Sequence, residues 1–216
     1  MSDYIVTDKK CRGAEGFYLA AGKRAFDLIL VLLALPALLF IFAILIVLTM
    51  LDGHAPFYCQ ERVGLHGKAF KMFKFRTMVV DADAQLERHL AENPAARMEW
   101  DVKQKLTKDP RITWVGTFLR KSSMDELPQL LNVLFGEMSL IGPRPMMTNQ
   151  TSLYHGKAYY LMRPGLSGPW QVSDRNLSSF SARVDFDDNY YREVSFKSDC
   201  DILRRTVSTV LKGSGC

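Results

Sequence analysis

LILVLLALPALLFIFAILIVLTML, residues 28–51, carries no charge across 24 residues, and only Pro36 and Thr49 fall outside the hydrophobic set. A water-soluble helix keeps a polar face, and this stretch has none. At 1.5 Å per residue a straight helix of this length reaches ~36 Å, sufficient to cross a hydrocarbon core of ~30 Å. It is too long and too far from the start of the chain for a secretory h-region. The residues that close it, TMLDG at 49–53, do not resemble a small-residue cleavage site, so the segment is expected to stay attached.

Two features work against a simple span. Pro36 removes a backbone donor and is expected to kink or break the helix. Lys9, Lys10, Arg12, Lys23 and Arg24 precede the segment, and Arg62, Lys68, Lys71, Lys74 and Arg76 follow it, five basic residues on each side. A spanning helix carries lysine and arginine mainly on its cytoplasmic side. The symmetry suits a helix that enters, turns at Pro36 and leaves by the same face, and spanning and re-entry both stay open on these residues alone.

Beyond residue 51 lie 165 residues, enough for one domain with its own core, which excludes intrinsic disorder. The 28 Lys and Arg against 23 Asp and Glu give a formal charge of +5, a balance that suits a phosphate-rich partner or an anionic membrane surface. Cys11, Cys59, Cys200 and Cys216 are far apart, and the four histidines are scattered. A disulfide scaffold, a zinc site and a P-loop are therefore not expected.

Working outward, residues 70–78 (FKMFKFRTM) read as a strand with Lys74 and Arg76 on one face. Taken alone, it is also a juxtamembrane stripe of snorkelling side chains or an aromatic and basic platform for nucleic acid. Residues 81–93 read as an exposed helix closed by Pro94. Ser123 to Glu126 fit an S-x-x-E capping box ahead of an apolar run that stops at Gly136, which puts Asp125 and Glu126 in the first turn of a helix. Residues 199–212 read as an amphipathic helix, fated either for the core or for the lipid interface. The fold class expected is α+β, with the N-terminal region 1–51 and its Pro-broken re-entrant helix (28–51) joined to a mostly helical domain, 52–216, that carries a small β element.

Adjacent carboxylates at a helix start are common for electrostatic reasons alone. Here Arg120 and Lys121 precede them, so a phosphate could be held beside Asp125 and Glu126 with a divalent cation offsetting the repulsion. A second constellation is GPRP at 142–145, where two prolines stiffen the backbone around Arg144. Residues 163–175 add a bend rich in glycine and proline that carries Trp170 and Arg175.

The order of the motifs is the specific signal: QERVG at 60–64, KFRTM at 74–78, DPRIT at 109–113, LRKSSMDELPQLLNV at 119–133, GEMSLIGPRP at 136–145 and RPGLSGPWQV at 163–172. In this order the chain closely resembles the bacterial sugar transferase family, the monotopic phosphoglycosyl transferases, from about residue 23 to about residue 211. The resemblance implies a compact, exopolysaccharide-initiating type of enzyme at the cytoplasmic face of a bacterial inner membrane. It implies transfer of a sugar 1-phosphate from a UDP-sugar to undecaprenyl phosphate with release of UMP, the sugar being galactose or glucose. It further implies Asp125 as the nucleophile that carries a covalent phosphosugar, and Mg²⁺ or Mn²⁺ held at Asp125 and Glu126. Substrate contacts map by motif onto Lys74, Arg120, Arg144, Arg175 and Asp187. The partners implied are the UDP-sugar, undecaprenyl phosphate, membrane lipid and downstream glycosyltransferases, with no nucleic acid. Two positions depart from the usual pattern: Leu35 stands where relatives often have serine before the proline, and Asp174 where many have glycine before Arg175. Two other classes compete, a catalytically silent membrane-anchored scaffold and a membrane-attached nucleic-acid binder.

Overall fold

A computed structural model of the chain describes residues 14–51, 54–103, 106–173, 180 and 182–211. A short helix α1 (Ala14–Phe17) and a π-helical turn (Tyr18–Gly22) lead into α2 (Lys23–Met50). The stretch Tyr18–Met50 is long and apolar enough to cross a membrane by length and composition, and only 11% of its most apolar window is buried. Leu33, Leu39, Phe40 and Val47 are all more than half exposed, so α2 is not the core helix of a water-soluble domain. The helical backbone runs through Pro36. A proline deletes one i→i−4 bond and crowds the preceding turn, yet neighbours on both sides keep their own bonds, and the helix continues to Met50.

Two compact units divide the described residues: one takes the chain through Pro36 with residues 60–72 and 129–209, the other residues 37–59, 73–128 and 210 onward. In the first unit, α6 (Gln129–Phe135), β3 (Ser139–Ile141), β4 (Gly165–Ser167), α7 (Arg183–Glu193) and α8 (Phe196–Leu211) surround a core that includes Val133, Met138, Ile141, Tyr190 and Ile202, with Val31 of α2 among them. β3 and β4 pair in parallel, Ser139 opposite Gly165 and Ile141 opposite Ser167. They approach so closely that a Cβ on Gly142, Gly165 or Gly168 would lie 2.4, 2.1 or 1.9 Å from backbone atoms of the other segment. Only glycine fits there.

A buried polar cluster sits at the base of α2 in the same unit. Lys23 Nζ lies 2.5 Å from Asp199 Oδ2, which also accepts a 2.7 Å bond from Tyr18, while Tyr190 donates to Oδ1. Asp27, 1% exposed, accepts from the Leu140 amide at 3.0 Å. Arg24 donates to the Val133 and Leu134 carbonyls at the end of α6. Two of the cations counted as flanking the apolar segment are thus structural anchors. α8 begins at Phe196, three residues before the expected start, because Ser195 and Ser198 cap one another's backbone amides. Its Ile202 is buried, whereas Val207 and Val210 remain exposed.

The second unit holds the remainder of α2, α3 (Ala82–Glu92), α4 (Pro94–Lys103) and α5 (Trp114–Lys121). Pro94 opens α4, as proline at a first helical position can, and so ends α3 as expected. Leu45, Phe75, Val115 and Leu119 form its main core. β1 (Phe57–Val63) and β2 (Ala69–Phe75) pair as a hairpin and, like α2, contribute to both units. The aromatic and basic stretch is a strand as expected, but Phe70, Met72 and Phe75 are at most 8% exposed. The two phenylalanine rings belong to cores and present no open stacking face to bases.

Candidate active site

The backbone around Asp125 departs from the expected capping box. Ser123 adopts a left-handed conformation, φ 57°, and its side chain caps nothing; Met124–Glu126 form one 3₁₀ turn, and the α-helix starts only at Gln129. Pro128 accounts for the correction. An α-helix running from Met124 would need an N–H on residue 128 to reach the Met124 carbonyl, and proline has none. Leu127 N bonds Met124 O at 3.2 Å instead. The turn lifts the two carboxylates onto a tight bend ahead of α6.

Their surroundings come from α5 and β2, all within the second unit. Thr113 caps α5 by accepting from Gly116 N at 2.9 Å, and its own amide reaches Thr77 O at 3.1 Å. Gly116 packs so tightly that an added Cβ would fall 2.1 Å from Thr77 O. Asp109 fixes the approach to α5 by accepting from the Arg111 backbone amide, Nε and Nη2 at 3.0, 2.8 and 2.6 Å, while Arg111 lies over Trp100. α5 then delivers Arg120, whose Nε donates to Thr77 Oγ1 at 2.9 Å. β2 delivers Lys74, with Nζ 2.9 Å from Glu126 Oε1 and 3.6 Å from Asp125 Oδ2.

Burial pushes the Asp125 carboxyl above the ordinary carboxylate range, and Glu126 adds to this; Lys74 and Arg120 oppose it. The Asp125 side chain is 14% exposed and that of Glu126 27%. The pair is therefore reachable and partly desolvated, and Lys74 is the first influence opposing the effect of burial on Asp125. Among the described residues no group of three or more His, Cys, Asp or Glu converges. Two adjacent carboxylates still fit Mg²⁺ or Mn²⁺, hard cations that take one or two protein carboxylates and complete their shell with water and phosphate oxygens.

Arg144 and Asp187 belong to the first unit, and Arg175 lies outside the described residues. Asp187, 3% exposed, accepts from Tyr154 at 2.8 Å, and burial pushes its carboxyl up to about 7. The Arg144 guanidinium lies 5.7 Å from the centre of the Trp170 ring. The sequence reading passed over Arg183, which lies 4.3 Å from that same ring and 4.7 Å from Phe180. It also passed over α5 and its Thr113 cap, although DPRIT was among the ordered motifs.

The sequence profile described as "Bacterial sugar transferase" matches residues 18–213, nearly the whole chain. The chain belongs to the bacterial sugar transferase family. Among curated relatives it is similar to the UDP-galactose-lipid carrier transferase of Erwinia amylovora, 48% identical over 199 residues, which cover 89% of this chain and 41% of the relative. It is 44% identical over 196 residues to the exopolysaccharide production protein ExoY of Sinorhizobium fredii, covering 89% of this chain and 87% of that one. The undecaprenyl-phosphate galactose phosphotransferase of Salmonella typhimurium is 43% identical over 199 residues, covering 89% and 41%. The chain thus spans well under half of two of these bacterial sugar transferases and most of the third.

Proposed function

We propose that this chain transfers a hexose 1-phosphate, with galactose first and glucose second, from a UDP-sugar to undecaprenyl phosphate at the cytoplasmic face of a bacterial inner membrane, opening the assembly of an exopolysaccharide or related glycan. The observation that carries this reading is the Asp125–Glu126 turn, a reachable carboxylate pair with Lys74 on it, in a chain of this family. The names of the relatives support the lipid carrier and the galactose.

The proposed chemistry runs in two half-reactions. An Asp125 carboxylate oxygen attacks the β-phosphorus of the UDP-sugar; the bond to the bridging oxygen breaks, and UMP leaves with that oxygen. The acyl phosphate is then attacked at the same phosphorus by an oxygen of the lipid phosphate, which frees the carboxylate and yields the lipid diphosphate sugar. Lys74 opposes the effect of burial on the Asp125 carboxyl and so favours its ionised form. Arg120, pinned by Thr77, adds positive charge beside it. Asp125 and Glu126 would hold Mg²⁺ or Mn²⁺, which neutralises phosphate charge when bound. Arg144, Arg175 and Asp187 are proposed substrate contacts. The exposed apolar surface of α2 supports residence in lipid, and we take the segment as re-entrant, with both flanks cytoplasmic.

Incubation of the full chain with labelled UDP-galactose or UDP-glucose and undecaprenyl phosphate should give a lipid-linked sugar and UMP in a divalent-cation-dependent manner. Omission of the lipid should leave a hexose-phosphate adduct on the peptide containing Asp125, detectable by mass spectrometry. Ternary-complex kinetics without an adduct would replace the covalent route by direct attack. Failure of every UDP-sugar to label lipid would remove the reading altogether.

A further inference from the structure

The C-terminal ends of β3 and β4 and the start of α7 bring together groups that the carboxylate site does not use. After β3 the chain enters the stiff Pro143-Arg144-Pro145 loop; after β4 it turns through Trp170 and Gln171; α7 opens at Arg183. In parallel sheets the carboxyl ends of neighbouring strands are where ligands tend to bind. The guanidinium groups of Arg144 and Arg183 both lie over the Trp170 ring, and that of Arg183 also lies 4.7 Å from the Phe180 ring centre. Each guanidinium makes no hydrogen bond or ion pair among the described residues, and the buried Nε of Arg183 has no partner. The commonplace fate of Arg183 would be an ion pair with Asp187 four residues on, along the same helix. That pair does not form, and Asp187 Oδ2 takes the Tyr154 hydroxyl instead.

Gln171 adds an independent sign. It is 7% exposed, and both its Nε2 and its Oε1 are buried without a partner. It packs at the joint of the strands, where a Cβ on Gly168 would come within 2.9 Å of its Oε1. Buried orphan amides are rare in folded proteins and ask for a reason. Two like charges on one indole are costly unless an anion joins them. A guanidinium resting against two aromatic rings has less freedom to lose on binding, which suits two-pronged recognition of phosphate oxygens.

We propose that Arg183 is a substrate-binding residue, which together with Arg144 grips the oxygens of a phosphate ester while the Gln171 amide serves the same ligand. The inference rests on the transferase reading for the identity of that ester. The shared chemistry fits either the diphosphate of the nucleotide donor or the monophosphate of the lipid acceptor. Trp170 and Phe180 are the platform that aims Arg183.

Titration calorimetry on the full chain in detergent separates the sources, with UDP as one probe and farnesyl phosphate as the other. Replacing Arg183→Met should weaken one of the two about ten- to a hundredfold, the range for hydrogen bonds between charged groups. The probe that suffers names the source. Arg183→Lys should recover only part of the loss, because the charge returns without the planar fork. If Arg183→Met does not fold, Arg183→Lys decides alone, and wild-type affinity for both probes in a folded variant overturns the proposal. So does a wild-type protein that binds neither probe at millimolar concentration. Binding is read without turnover, so a wild type that titrates UDP yet labels no lipid would fail the transferase reading and leave this test standing.

Discussion

Asp199 and Asp125 are both aspartates facing a lysine, and the two regions use the pair in opposite ways. Asp199 is fully buried, with Lys23, Tyr18 and Tyr190 hydrogen-bonded to its two oxygens. Asp125 keeps part of its side chain open and meets Lys74 only at 3.6 Å, because that lysine leans towards Glu126 at 2.9 Å. A saturated buried pair anchors elements and has no capacity left for a ligand. An unsaturated, half-desolvated one is unfavourable for stability and available for chemistry. The distance between lysine and carboxylate, and what else the oxygens hold, distinguishes an anchor from a carboxylate left open to a ligand.

The largest expected effect breaks the second member. Asp125→Asn should lower lipid-product formation on the order of a thousandfold or more, since the amide cannot form an acyl phosphate. Thermal unfolding of the same variant should be unchanged or slightly raised, because burial disfavours the native charge. Coincident loss of activity and of folding would erase the contrast with Asp199.

Asp199→Ala is the mirror experiment. It leaves the Lys23 ammonium buried beside two tyrosine hydroxyls, and breaking a buried pair in this manner costs about 3–5 kcal/mol. Chemical or thermal unfolding in detergent should register it, and whatever protein remains folded should still form the aspartyl adduct. Lys74→Met sharpens the comparison at intermediate scale. With the main lowering influence gone, the Asp125 carboxyl rises further. The acid limb of the pH–rate profile should then move to higher pH, with turnover down roughly ten- to a hundredfold on that limb and partly recovered in alkali.

The smallest effect concerns Asp187, an aspartate with a tyrosine in place of a lysine. Its carboxyl is raised to about 7, so the native state binds a proton that the unfolded chain has already lost above about pH 4. Stability from this group is present at low pH and is lost as pH rises towards 7, a decline on the order of 1–2 kcal/mol between pH 5 and 7. Asp187→Asn should flatten that slope in unfolding curves taken across the range. An unchanged slope would place the titration elsewhere.

The apolar segment, the hairpin strand, the helix of residues 82–92 and the Gly136 stop were legible because each is written in neighbouring residues. The capping box at Ser123 was misread because one residue inside the pattern, Pro128, forbids the bond on which an α-helical start depends. α5 is short, and its decisive supports are the Thr77 carbonyl and the Asp109–Arg111 pair, contacts that local periodicity does not encode. Lys23 and Arg24 look like flanking charges in the sequence; only the folded chain reveals that they are spent on Asp199 and on the end of α6. Asp125, Glu126 and Arg144 were singled out through ordered motifs. Arg183 was not, because its distinction is a shared aromatic ring rather than a spacing.

The glycine joint between β3 and β4 limits how this chain can drift. A methyl group at position 142, 165 or 168 meets the backbone of the opposite segment, which cannot swing aside as a side chain would. Any other residue there requires the facing strand to move first, so no single-step substitution leads away from the present state. The loop bearing Arg144 and the turn bearing Trp170 leave from this joint. Lineages descended from this sequence can vary what these segments carry far more readily than where the segments begin.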